Sequence, residues 1–113
     1  MNTLRPDSDL EQLSGLELLQ VCLGRHQTQL RFDKQTMIAF EAVGVLDPGG
    51  IELATPAVAG ASLAPLLGTT LLAVRLDREE NLVLQFSGGQ CLRVENDIAN
   101  LESFEVVVAG KRL

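Results

Sequence analysis

Apolar and polar residues alternate along most of this chain with the period of two expected of strands that bury one face. In Glu17–Leu23, residues Leu19, Val21 and Leu23 share one face, and Gln20 and Cys22 the other. Thr28–Phe32 sets Leu30 and Phe32 against Gln29 and Arg31, and Thr36–Glu41 offers Ile38 and Phe40. The pattern returns in Thr70–Leu76 (Leu72, Val74, Leu76), Leu82–Phe86 (Leu82, Leu84, Phe86) and Cys91–Glu95 (Leu92, Val94). There Arg75, Gln85, Arg93 and Glu95 fall on the opposite face. Short polar turns at 24–27, 33–35, 77–81 and 87–90 separate these runs, which predicts two antiparallel meanders. A fourth strand, Ile51–Ala54 in the first and Phe104–Ala109 in the second, is expected after a longer connection.

The two meanders read as copies of one unit. Laying Leu10–Glu41 over Leu63–Glu95, with one extra residue near Glu80-Asn81, matches Gly15 with Gly68 and Arg25 with Arg78. It also matches Phe32 with Phe86 and Glu41 with Glu95. The register resumes where Ile51-Glu52-Leu53 faces Phe104-Glu105-Val106. Self-similarity of this kind, read before anything else, sets the architecture. A short helical turn opens each unit. Ser8-Asp9-Leu10-Glu11 has the spacing of a capping box, Ser62 stands ready to cap the second turn, and Gly15 or Gly68 ends it. The expected organisation is an N-terminal arm, 1–8, and one domain, 9–113, made of repeats at about 9–55 and 62–109. The fold class is mainly β: two repeated antiparallel meander units packed as a sandwich or partly closed barrel, with one or two short helical segments. The Pro56–Ser62 segment reads as the linker, and a single sheet covered by a helix over 57–67 is the alternative.

Composition narrows the function classes. The 113 residues suit one domain, and 46% of them are hydrophobic, enough for a core. Aromatic residues make up 4%, all phenylalanine, too few for a base-stacking platform. Nine basic residues against fifteen acidic ones give a formal charge of −6. No cluster of lysine and arginine exists to displace counterions from a duplex or to hold an anionic membrane surface, so neither nucleic acid nor membrane is an expected partner. No apolar run is long enough to span a bilayer, and no export signal opens the chain, so a cytoplasmic location with free thiols is expected.

Candidate chemistry is sparse. His26, the single histidine, sits in a predicted turn without a nucleophile or carboxylate beside it in sequence. Cys22 and Cys91 do not recur in the sister repeats, form no Cys-x-x-Cys, and with His26 fall short of four zinc ligands. Glu41 with Glu95, and Glu52 with Glu105, recur in register. Pairing by repetition needs no catalytic explanation, and strand-end glutamates commonly guard sheet edges. The glycines follow neither phosphate-binding pattern. The expectation is no catalytic, cofactor-binding or metal-ligating residue, no cofactor and no enzyme activity. An acidic turn over 77–81 is a candidate surface for a basic partner.

Three segments carry a resemblance to a known family: Gln27–Asp33 with the apolar strand ending at Glu41, Leu82–Val94, and Glu102–Val106. With these, from about Leu13 onward, the chain resembles a family of short bacterial proteins of unknown function with a duplicated β-meander. The family usually places an aromatic in the first hairpin, where this chain has His26. The resemblance transfers no catalytic residue. Some relatives look like companions of toxin loci, which implies an immunity-like or accessory binding role. Residues and resemblance together lead to a non-enzymatic protein-interaction domain, binding another chain or a second copy as a homodimer. The alternatives are a small-ligand-binding β-barrel and an enzyme using its carboxylates or a thiol.

Overall fold

Each meander forms where the alternation places it, but neither is completed by its own fourth strand. The computed structural model describes residues 10–41, 44–95 and 104–113. A 3-10 turn, Glu11–Leu13, leads into β1 (Leu18–Leu23), β2 (Thr28–Phe32) and β3 (Thr36–Phe40), which pair antiparallel in that order. Then β4 (Gly44–Asp47) and β5 (Ile51–Glu52) form a hairpin, followed by α1 (Pro56–Leu63) and a second 3-10 turn, Ala64–Leu66. The second meander is β6 (Leu71–Leu76), β7 (Leu82–Phe86) and β8 (Cys91–Val94), and β9 (Phe104–Val108) with β10 (Lys111–Arg112) closes the described chain. The two five-stranded antiparallel sheets run β1-β2-β3-β9-β10 and β5-β4-β8-β7-β6, and they are not closed into a barrel.

The hairpins are exchanged: β4 crosses to pair with β8, and β9 crosses back to pair with β3. The registers of the two crossings correspond. Leu46 faces Leu92 as Val106 faces Ile38, and Gly44 faces Val94 as Phe104 faces Phe40. In pairing register, Phe104–Val108 thus occupies the place in its sheet that Gly44–Asp47 occupies in the other, and the expected match of Ile51-Glu52-Leu53 with Phe104-Glu105-Val106 does not hold. Ile51–Glu52 is instead the return arm of its hairpin. The run 44–47 looks like a connection because it is short and opens with glycine. That glycine sits in tight packing: a Cβ there would lie 3.2–3.3 Å from side-chain carbons of Leu92, Leu53 and Phe40, which would have to give by a few tenths of an ångström.

The edge strands β1 and β6 are tied where they begin. Gly15 N–H donates to Leu71 O at 2.7 Å and Gly68 N–H to Leu18 O at 2.9 Å. Leu18 N–H donates to Thr69 O at 2.9 Å and Leu71 N–H to Leu16 O at 2.8 Å. Glu17 and Thr70 face each other at the centre as an antiparallel bridge. Each is held from its own sheet. Glu17 N–H donates to Asp33 Oδ1 and Thr70 N–H to Ser87 Oγ, at 3.2 and 3.0 Å. Asp33 N–H and Ser87 N–H donate back to Glu17 O and Thr70 O. Gly15 and Gly68 enter this corner at φ of +91° and +85°, a left-handed conformation that glycine adopts without a Cβ penalty.

The linker expected at Pro56–Ser62 is helical. Thr55 caps it, its Oγ1 accepting from Val58 N–H at 3.2 Å, with Pro56 in the first turn where no N–H is needed. Ser62 lies inside α1 and is not a cap. Leu10 precedes the first 3-10 turn without a side-chain cap, and Ser8 and Asp9 of the expected capping box lie outside the described residues. Leu63, Leu66 and Ala59 join the inner faces of both sheets in one buried cluster with Leu30, Ile38, Leu84, Phe86 and Val106.

Leu19 and Leu72 depart from the expected core face. The β1–β2 register shifts between Leu18 and Gln20, and the β6–β7 register shifts between Leu71 and Ala73. A bulge of this kind inserts one residue and reverses the facing of what precedes it. Leu18 and Leu71 are fully buried as a result, and Leu19 and Leu72 point out.

Leu92 lies between Leu84 and the crossed-over Leu46, with no exposed surface. Leu92→Ala is expected to lose about 2–5 kcal/mol in urea denaturation, the range for emptying such a site. A loss below about 1 kcal/mol would contradict this packing.

Candidate functional site

Two surface features follow from this frame. The first is the outer side of the β1–β6 corner. Alternation along 15–19 and 68–72 turns Leu16, Leu18 and Leu71 inward. It turns Glu17, Leu19, Thr70 and Leu72 outward. Leu19 and Leu72 lie on either side of the Glu17–Thr70 bridge, each two residues beyond it on its own strand. Leu19 is 54% exposed, Leu72 53% and the neighbouring Leu67 46%. A Cβ added at Gly15 or Gly68 would meet nothing within 4 Å, so both glycines border open space. Ser14 Oγ donates to Leu72 O at 2.6 Å and fixes the strand on that side.

The second feature is a cleft of about 540 Å³ between the β1–β2 turn and the start of α1. Phe40, Leu53 and Ala59 contribute to its wall but are themselves buried. Its rim is polar. Arg25, His26 and Gln27 come from the turn, Glu41 from the end of β3, and Thr55 from the helix cap. Gly24 N–H donates to Gln27 O at 2.7 Å and closes the turn. The β2–β3 register, carried one step past Thr28–Phe40, sets Glu41 beside Gln27.

No family model, no curated protein and no solved structure matches this chain.

The residues singled out from the sequence fall in separate places. Cys22 faces outward on the first sheet opposite Gln29, and Cys91 outward on the second opposite Gln85, each half-buried and free. They sit on opposite outer faces, which removes a redox or ligand pair. Glu41 and Glu95 follow the last paired residues of β3 and β8, in different sheets. Glu105 pairs with Ala39 and contacts Arg112 at 3.4 Å, whereas Glu52 pairs with Val45, so these two glutamates do not correspond. Among the described residues, no group of three or more His, Cys, Asp or Glu could hold a metal ion. His26 is exposed in its turn as expected, and the fold adds what the sequence does not reveal, that Glu41 lines the same cleft.

The acidic turn at 77–81 is internally organised. Asp77 accepts from Glu79 N–H at 2.8 Å, Asn81 N–H at 2.9 Å and Asn81 Nδ2 at 3.1 Å. Desolvation works against its charge, but these bonds and nearby Arg75 outweigh it and hold the carboxyl below its ordinary value of 3.8. A depressed folded-state pKa contributes stability above the unfolded value, and that stability is lost as pH falls through the folded one. Asp77→Ala is therefore expected to cost at most about 1 kcal/mol at pH 7, given solvent screening. In denaturation curves the gap from the parent should close below pH about 4. A gap that persists at pH 2 would contradict this origin.

Proposed function

We propose that this chain is an internally duplicated, non-enzymatic protein-interaction domain whose contact surface is the β1–β6 corner. One observation carries the reading: bulges at corresponding places in both sheets turn Leu19 and Leu72 out of a core whose pattern would take them. Exposed leucines on ordered backbone, one on either side of the Glu17–Thr70 bridge, have as their common use an interface that covers them. Leu67, next to Gly68 in the chain, is also exposed and adds apolar surface.

Support for binding over catalysis comes from the same geometry. The apolar patch is centred on backbone hydrogen bonds with no titratable cluster, and Glu17 is the single ionisable side chain facing out of the ladder. The partner is another protein chain or a second copy of this one. The ligand-binding barrel is disfavoured because the sheets are not closed into one.

The test compares the tagged parent chain with a Leu19→Ser/Leu72→Ser variant in capture from the native host and in light scattering. Both positions are half-exposed, so stability should change by no more than about 0.5 kcal/mol. The parent should retain a stoichiometric partner or self-associate, and the variant should lose that association by about tenfold or more. Equal behaviour of the two proteins would overturn the reading.

A further inference from the structure

The cleft beside α1 is built independently of the corner patch and has a chemistry of its own. Its accessible lining is mostly polar, with Phe40, Leu53 and Ala59 buried behind it, and its volume of about 540 Å³ lies within the range of small-molecule sites. Charges of opposite sign stand on its rim. Arg25 projects from the turn, and Glu41 comes from the neighbouring strand. Among the described residues, neither side chain makes a hydrogen bond or ion pair. Gln27 is partly committed, its Oε1 accepting from Gln29 Nε2 at 2.8 Å. His26 shares the rim.

We infer that this cleft binds a small zwitterion, the class represented by free amino acids such as leucine and phenylalanine. Its carboxylate is matched by the Arg25 guanidinium, whose planar fork suits two-point contact. Its ammonium is matched by the Glu41 carboxylate. The opposite charges on the rim select against ligands with charge of one sign only. A simple acid leaves Glu41 unanswered, and a simple amine leaves Arg25 unanswered. The same charges neutralise each other's long-range field, so this site does not depend on the chain's net charge of −6.

The cleft belongs to the first half of the chain alone. At the corresponding turn of the second half, Asp77 binds Glu79 and Asn81 and the loop folds upon itself. The turn 24–27 has no such internal clamp beyond the Gly24–Gln27 bond and leaves its side chains open to the cleft.

Titration of the isotope-labelled chain with leucine and phenylalanine, followed by amide chemical shifts, tests the inference. Saturable shifts confined to 24–28, Glu41 and 54–59 are expected, with dissociation constants of about 1 mM or tighter. Isovalerate and isopentylamine, each carrying one of the two charges, should bind at least about tenfold more weakly. Arg25→Ala and Glu41→Gln, both at exposed positions, should each weaken amino-acid binding by about tenfold while leaving the remaining spectrum unchanged. No saturable shift up to about 10 mM would overturn the inference. So would binding that survives both substitutions, or that either single-charge analogue reproduces.

Discussion

The structure depends on the exchange of hairpins between two sheets. A three-stranded meander has one apolar face and a free edge, and alone it is marginal in water. Here β3 and β8 each receive at that edge a strand from the other half of the chain. Leu46 and Val106, carried by those strands, sit at the centre of the common core, 5% and 0% exposed. Neither sheet can form completely without both halves, so pairing and core burial are won together.

The corner between β1 and β6 is the second consequence of that arrangement. Once the exchanged hairpins hold one end of the sandwich, the opposite ends of the two sheets meet and bond across the Glu17–Thr70 bridge. The bulges belong to this junction: they bring Leu18 and Leu71 into the core while the strands bend to meet. The side chains displaced outward, Leu19 and Leu72, form the surface to which a partner is assigned. A packing solution inside the domain thus creates an apolar site outside it.

Much of the fold was legible in the sequence because strand alternation and turn residues are local. Eight strands stand where the pattern puts them, among them β5 and β9, with β2 and β7 matching at both ends. The exchange was hidden, because which strand pairs with β3 is not a local property and because Gly44 and Phe104 occupy corresponding places with nothing in common. Glycine at one fits the close approach of Phe40, Leu53 and Leu92. The bulges left a trace that alternation alone overlooks: the doublets Leu18-Leu19 and Leu71-Leu72 put apolar residues at successive positions, which a strand of unbroken period cannot bury on one face. The cleft drew on three separate segments, and no spacing joins Arg25, Glu41 and Leu53 before the chain folds.

If hairpin exchange is the hub, the two sheets cannot open separately. Native-state hydrogen exchange on the backbone amides of the β3–β9 and β4–β8 ladders measures this most directly. The account predicts that protected amides in both ladders exchange with one free energy, equal to that of global unfolding. A ladder opening more easily than the other by over about 1.4 kcal/mol, a tenfold difference in protection, would contradict it.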